Sequence, residues 1–148
     1  MAGTSARIYG NHGIVLTLKK STGTASPFGD DCKGVRISGE DKDSNDITFS
    51  EAAEGAVQNP LLKLKFIQST AASSLHQYLF DNQGEVVEAV YAPHGNASPS
   101  ASQPHFKVTA LKISGIPEIG GDATKETVGF ETEVELKSEG GTVEKITA

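Results

Sequence analysis

The stretch from Leu61 to Ile113 constrains this chain most, because it sets one helical segment between runs that alternate apolar and polar residues. In LLKLKFIQ, Leu62, Leu64 and Phe66 share one face, and Lys63, Lys65 and Ile67 share the other. That two-residue period belongs to a half-buried strand. STAASSLHQYLFDNQG comes next and predicts a helix over about 70–82. Ser69 or Thr70 can accept from the first free backbone N–H groups, and Leu75, Tyr78 and Leu79 make an i, i+3, i+4 core stripe. Gly84 can supply the left-handed residue that ends it. EVVEAVYAP then reads as a strand, HGNASPSASQP as a long polar loop, and HFKVTALKI as a further strand. One helix among many strands, which it would cover, points to an α+β fold with a predominantly antiparallel sheet.

The rest of the chain reads as more sheet and its connections. Residues 1–13 are small and polar, with Gly3, Gly10 and Gly13, and read as a flexible arm. Ile14–Lys20 is a strand, residues 21–33 are turn-rich, and Val35–Ser38 is a short strand. Residues 39–60 read as one long loop: GEDKDSND is too charged and too rich in turn formers for regular structure, and a helical turn within SEAAEGAVQNP would be stopped by Gly55 and Pro60. Past Ile113, SGIPEIGGDATKE is a loop and Thr127–Leu136 a strand. Residues 137–148 form a tail with one short edge strand, Val143–Ile146. At 148 residues the whole chain fits one domain. MAGTSARIYG lacks the apolar segment of a secretion signal, and no run reaches membrane-spanning length, so the expectation is a soluble product made in the cytoplasm.

Charge and candidate chemistry argue against several function classes. Thirteen basic and nineteen acidic residues give a net charge of −6, which disfavours direct binding to nucleic-acid phosphates. The single cysteine, Cys32, excludes an intrachain disulfide and has no zinc partners in sequence, so it reads as an inert thiol. Asp41, Asp43 and Asn45 match the first positions of a calcium loop, but Asp46 stands where the turn needs glycine and Ala52 where a bidentate glutamate belongs. A solvated acidic loop fits better. His12, His76, His94 and His105 are scattered without ligand spacing, and no nucleophile elbow or phosphate cradle exists. No catalytic, metal or cofactor site is expected, and the chain does not read as an enzyme.

The most informative constellation is an acidic comb. Glu131, Glu133 and Glu135 alternate with Phe130, Thr132, Val134 and Leu136, so three carboxylates share one face of one strand. Two readings stand side by side. A neighbouring strand carrying Lys63 and Lys65, or Lys107, would neutralise the comb. Otherwise the face stays negative, as the wall of a channel for a sliding polyanion would.

Taken together, VRISGEDKDSNDITFSEAAEG, LLKLKFIQS with the helix SLHQYLFDNQG, VYAPHGNASPSASQPHF, and GIPEIGG before GFETEVEL resemble the major tail tube proteins of long-tailed bacteriophages. The similarity spans roughly residues 35 to 136 and rests on the order of elements, with no single diagnostic motif. The resemblance implies a single tail tube domain of sandwich type in a virion structural protein. Its hexameric rings would stack into a tube through which DNA passes without specific binding. It further implies tape measure, tail terminator and tail tip proteins as partners, location in the virion tail, and no membrane contact. Glu131, Glu133 and Glu135 would then line the lumen. Glu40, Asp41, Asp43, Asp46, Phe49 and Glu51 would form a loop between stacked rings, with Arg7, Lys19, Lys20 and Arg36 as basic partners. A monomeric sandwich that binds or decorates a virion is the rival reading. Six Phe, three Tyr and no Trp make it a poor sugar binder. A terminator-like ring protein is the other alternative.

Overall fold

The computed structural model describes residues 8, 13–41, 48, 49 and 58–148. Its elements are β1 (Val15–Lys20), β2 (Ser26–Pro27), β3 (Cys32–Asp41), β4 (Gln58–Ile67), α1 (Leu75–Asp81), β5 (Val86–Ala92), β6 (His105–Lys112), β7 (Glu131–Ser138) and β8 (Val143–Ile146). The strands follow the order β2-β1-β5-β6-β7-β4-β3, with β8 added on β6. Every pairing is antiparallel. Over the described residues the fold is therefore mainly antiparallel β with the one short helix α1.

A corner divides this sheet into two wings. β7 follows β4 from Glu131 to Lys137, and it meets β6 only where Lys137 and Ser138 face Lys112 and Leu111. After residues 139–142, β8 takes its place along the first half of β6, with Val143 opposite Val108 and Ile146 opposite His105. One extended path thus changes wings. β6 answers with an extra residue: from Ala89↔Val108 to Val87↔Leu111, β5 advances two residues and β6 three. Ala110 absorbs the excess at φ 56°, a left-handed conformation that costs a residue with a Cβ. Thr109 N–H donates to the Thr142 carbonyl (3.1 Å), and the Ser138 hydroxyl donates to the Thr109 carbonyl (2.7 Å). At Gly141 a Cβ would strike that carbonyl oxygen and the Ser138 hydroxyl, so only glycine fits the corner. Strands that switch sheets through such bulges make the corners of sandwiches and barrels.

Both wings feed one buried cluster. Leu62, Leu64, Phe66 and Leu136 come from the wing β3–β4–β7, and Leu16, Leu18, Val87, Ala89, Val108 and Leu111 from the other. From α1, Leu75 and Leu79 are buried, and Tyr78 packs against the cluster with its ring 5.0 Å from that of Phe28.

Several boundaries differ from the sequence reading. The helix runs Leu75–Asp81, shorter than 70–82, because its cap is Ser74, not Ser69 or Thr70. The Ser74 hydroxyl accepts from Gln77 N–H (3.3 Å), and Asp31, far away in sequence, accepts from Leu75 N–H (2.9 Å). Ser69 is occupied locally, accepting from Ala71 N–H (3.2 Å). Gly84 does take a positive φ of 83°, although the helix ends at Asn82, whose side chain donates to the Tyr78 carbonyl (2.8 Å). The loop expected over residues 39–60 contracts, since Gly39, Glu40 and Asp41 pair with Pro60, Asn59 and Gln58. Cross-strand pairing outweighs their poor strand propensity. β7 starts at Glu131, four residues later than expected, and the tail beyond 136 supplies Lys137 and Ser138 to it.

Candidate functional site: a charged sheet face between two open edges

The wing β3–β4–β7 presents an apolar face inward and a charged face outward, as the alternation of all three strands dictates. Its register sets residues in rows. Val35, Leu64 and Val134 form one inward row, and Ile37, Leu62 and Leu136 another. Between them, the outward row is Arg36, Lys63 and Glu135, and the next is Gly34, Lys65 and Glu133. The acidic comb therefore faces solvent beside a basic strand. Glu131 makes ion pairs with Lys33 and with Lys65 (3.4 Å). The hydrogen bond from Lys33, ahead of the charge of Lys65, holds the Glu131 carboxyl below its usual range.

Four charges on this face have no such partner. Among the described residues, Arg36, Lys63, Glu133 and Glu135 make no ion pair. They border a shallow depression of about 400 Å³. Cations gather on β3 and β4, carboxylates on β7. The outer face of the other wing is built differently: Glu88 lies between Lys19 (3.9 Å) and Lys107 (3.4 Å), and Lys107 faces Glu144. Signs alternate there from strand to strand, the usual arrangement of a solvated face.

Among the described residues the same wing has two long edges without a neighbour: there β3 pairs only with β4, and Glu131–Leu136 of β7 pair only with β4. Unpaired rows of backbone N–H and C=O groups are sites for strand addition.

The expected loop residues scatter. Glu40 sits in β3 and makes an ion pair with Lys137 of the same chain (3.3 Å), and Lys19 pairs with Glu88. Asp41 ends β3, Phe49 is 98% exposed, and Asp43, Asp46 and Glu51, like Arg7, lie outside the described residues. Cys32 is half-buried, and burial, helped by the charge of Asp31, pushes its thiol up to about 12. At neutral pH it carries no thiolate to react. Among the described residues no group of His, Cys, Asp and Glu could hold a metal ion. No helix there is long and apolar enough to cross a membrane.

Two residues had no signal in the sequence. Gln68 grips the loop after β6 from both sides, accepting from Gly120 N–H (2.8 Å) and donating to the Gly120 carbonyl (3.0 Å) and the Thr132 hydroxyl (2.7 Å). His76 is buried and meets the Glu118 carbonyl through Nε2 (3.0 Å). Both fix residues 118–120 against the sheet, and periodicity does not encode such single polar ties.

Compared with known proteins, the chain matches no family model, no curated protein and no solved structure.

Proposed function

We propose that this chain is a structural subunit that assembles with copies of itself into rings and a tube, and that the tube is a phage tail tube that conducts DNA. One observation carries the reading: a three-stranded wall, apolar inside and charged outside, whose two long edges are both unpaired among the described residues. A long open edge is a liability in a monomer and a joint in an assembly. The resemblance of residues 35 to 136 to tail tube proteins supplies the particular assembly, with tape measure, terminator and tip proteins as its partners in the virion tail. The subunit does no chemistry.

In this reading Glu131, Glu133 and Glu135 face the lumen together with Lys63, Lys65 and Arg36. Because each glutamate has a cation one strand away, the wall has little net field. Passing DNA is neither gripped nor pushed off strongly, and at physiological salt the residual pattern fades within about 8 Å. A wall dominated by negative charge does not follow from this register. Sedimentation velocity over rising protein concentration tests the proposal, with and without tail-tip initiators. Discrete rings and longer assemblies are expected; a strict monomer under all these conditions refutes it.

A further inference from the structure

We infer that the outward face of β3 and β4 holds a phosphoryl anion in the depression above Gly34, with Arg36 and Lys63 as its principal donors. In the assembled tube this anion is a backbone phosphate of passing DNA. The anion site stands on the geometry of one chain; only the choice of DNA rests on the assembly reading above.

The site begins with a missing side chain. Gly34 shares its outward row with Lys65 and Glu133, so β3 fills no space at that point. Around the gap, Lys33, Arg36, Lys63 and Lys65 border the depression of about 400 Å³. The register shift between Cys32 and Gly34 brings Lys33 to the same face, where it meets Glu131. Four cations thus surround bare backbone at the edge of the sheet.

Their counter-charges are too few and lie to one side. Glu131 already serves two of them, Lys33 and Lys65 (3.4 Å). Glu135 stands opposite Lys63 and Glu133 opposite Lys65, both on β7, and neither makes an ion pair among the described residues. Arg36 is separated from these carboxylates by the width of β4. Its neighbour across the ladder is Lys63, and its same-face neighbours along β3 are Gly34 and Ser38. Among the described residues it too makes no ion pair. Like charges directly opposite destabilise a strand pair, and an anion between Arg36 and Lys63 turns that repulsion into attraction. The four cations, set against Glu131, Glu133 and Glu135, leave a local charge of +1 in a chain whose total is −6.

The donors select the ligand. A guanidinium offers a planar fork that matches two oxygens of a phosphoryl group, and the lysine ammonium beside it adds a point charge. Glu133 and Glu135 set the limit: they repel an anion that extends across β7. The site therefore takes a single phosphoryl group rather than a run of them, and the complex is weak and short-lived. A polyanion touches such a wall at spaced points and moves on.

Amide NMR spectra of the dilute whole chain at low salt test the inference, with inorganic phosphate and a short DNA duplex as separate probes. Both probes shift the amides of Gly34, Arg36 and Lys63, and duplex affinity falls with about the first power of salt concentration, as one engaged phosphate requires. Arg36→Gln weakens both probes roughly fivefold. Glu133→Gln/Glu135→Gln strengthens both, whereas Lys107→Gln, on the other wing, changes neither. If Arg36→Gln does not fold, Lys63→Gln supplies the same comparison. Phosphate binding without duplex binding keeps the anion site and overturns DNA as its source. No shift at these amides with either probe, or unchanged affinity in Arg36→Gln, overturns the site and leaves the assembly reading intact. Binding by a chain that stays monomeric under every condition keeps the anion site and refutes the tube.

Discussion

Replacing Gln68 with alanine removes the clamp that holds the loop between β6 and β7. Its side chain makes three hydrogen bonds, to Gly120 N–H (2.8 Å), the Gly120 carbonyl (3.0 Å) and the Thr132 hydroxyl (2.7 Å). Each such bond contributes about 1 kcal/mol net, and the half-buried setting lets water recover a part. The loss is therefore about 2–3 kcal/mol. For a chain of this length 1 kcal/mol moves the midpoint by roughly 2–4 °C, so Tm falls by roughly 4–12 °C. The effect is local first: the Gly120 amide loses its acceptor, while the amides of β4 that pair with β7 keep theirs. Amide hydrogen exchange of Gln68→Ala resolves the two. Rapid exchange at Gly120 with β4 protection lowered only by the global change supports the reasoning. Unchanged protection at Gly120, with a Tm within 1 °C of wild type, refutes it.

Ala110→Gly relieves the left-handed backbone at the β6 corner, and the gain, reduced by the extra freedom of the unfolded glycine, leaves about 0.5–1 kcal/mol of stabilisation measurable by urea unfolding. Lys33→Ala removes the strongest support of the Glu131 carboxylate, so its titration followed by NMR moves up toward the ordinary range. Because that carboxyl is depressed in the fold, the pair's contribution is present above the unfolded value and disappears as pH falls through the folded one, and the variant lacks this acid-side loss. Cys32 resists alkylation in the native protein at pH 8 and reacts within minutes in denaturant. With its thiol raised to about 12, it favours the fold fully below the unfolded thiol value and ceases to do so as pH rises toward 12.

What the sequence made legible was local. The alternation of Leu62, Leu64 and Phe66 announced β4, that of Thr132, Val134 and Leu136 announced most of β7, and the stripe Leu75, Tyr78, Leu79 announced α1. Each signal lies within one element. The rest depends on distant neighbours. Gly39–Asp41 look like a turn and become strand because Gln58–Pro60 lie opposite. Ser74 caps the helix in company with Asp31, a residue 44 positions from Leu75. The charge of the comb was undecidable for the same reason, since only the placement of β4 between β3 and β7 brings Lys63 to Glu135 and Lys65 to Glu133. The corner at Ala110 and Gly141 was silent because neither residue type nor spacing marks a strand that changes wings.

The central claim is that the open wing β3–β4–β7 becomes the wall of a self-assembled tube. Electron cryomicroscopy of the concentrated protein, nucleated where necessary, tests it most directly. The account predicts hollow tubes of stacked rings, with Glu131, Glu133 and Glu135 facing the lumen. Tubes that carry these side chains on the outer surface would contradict it, as would isolated monomers.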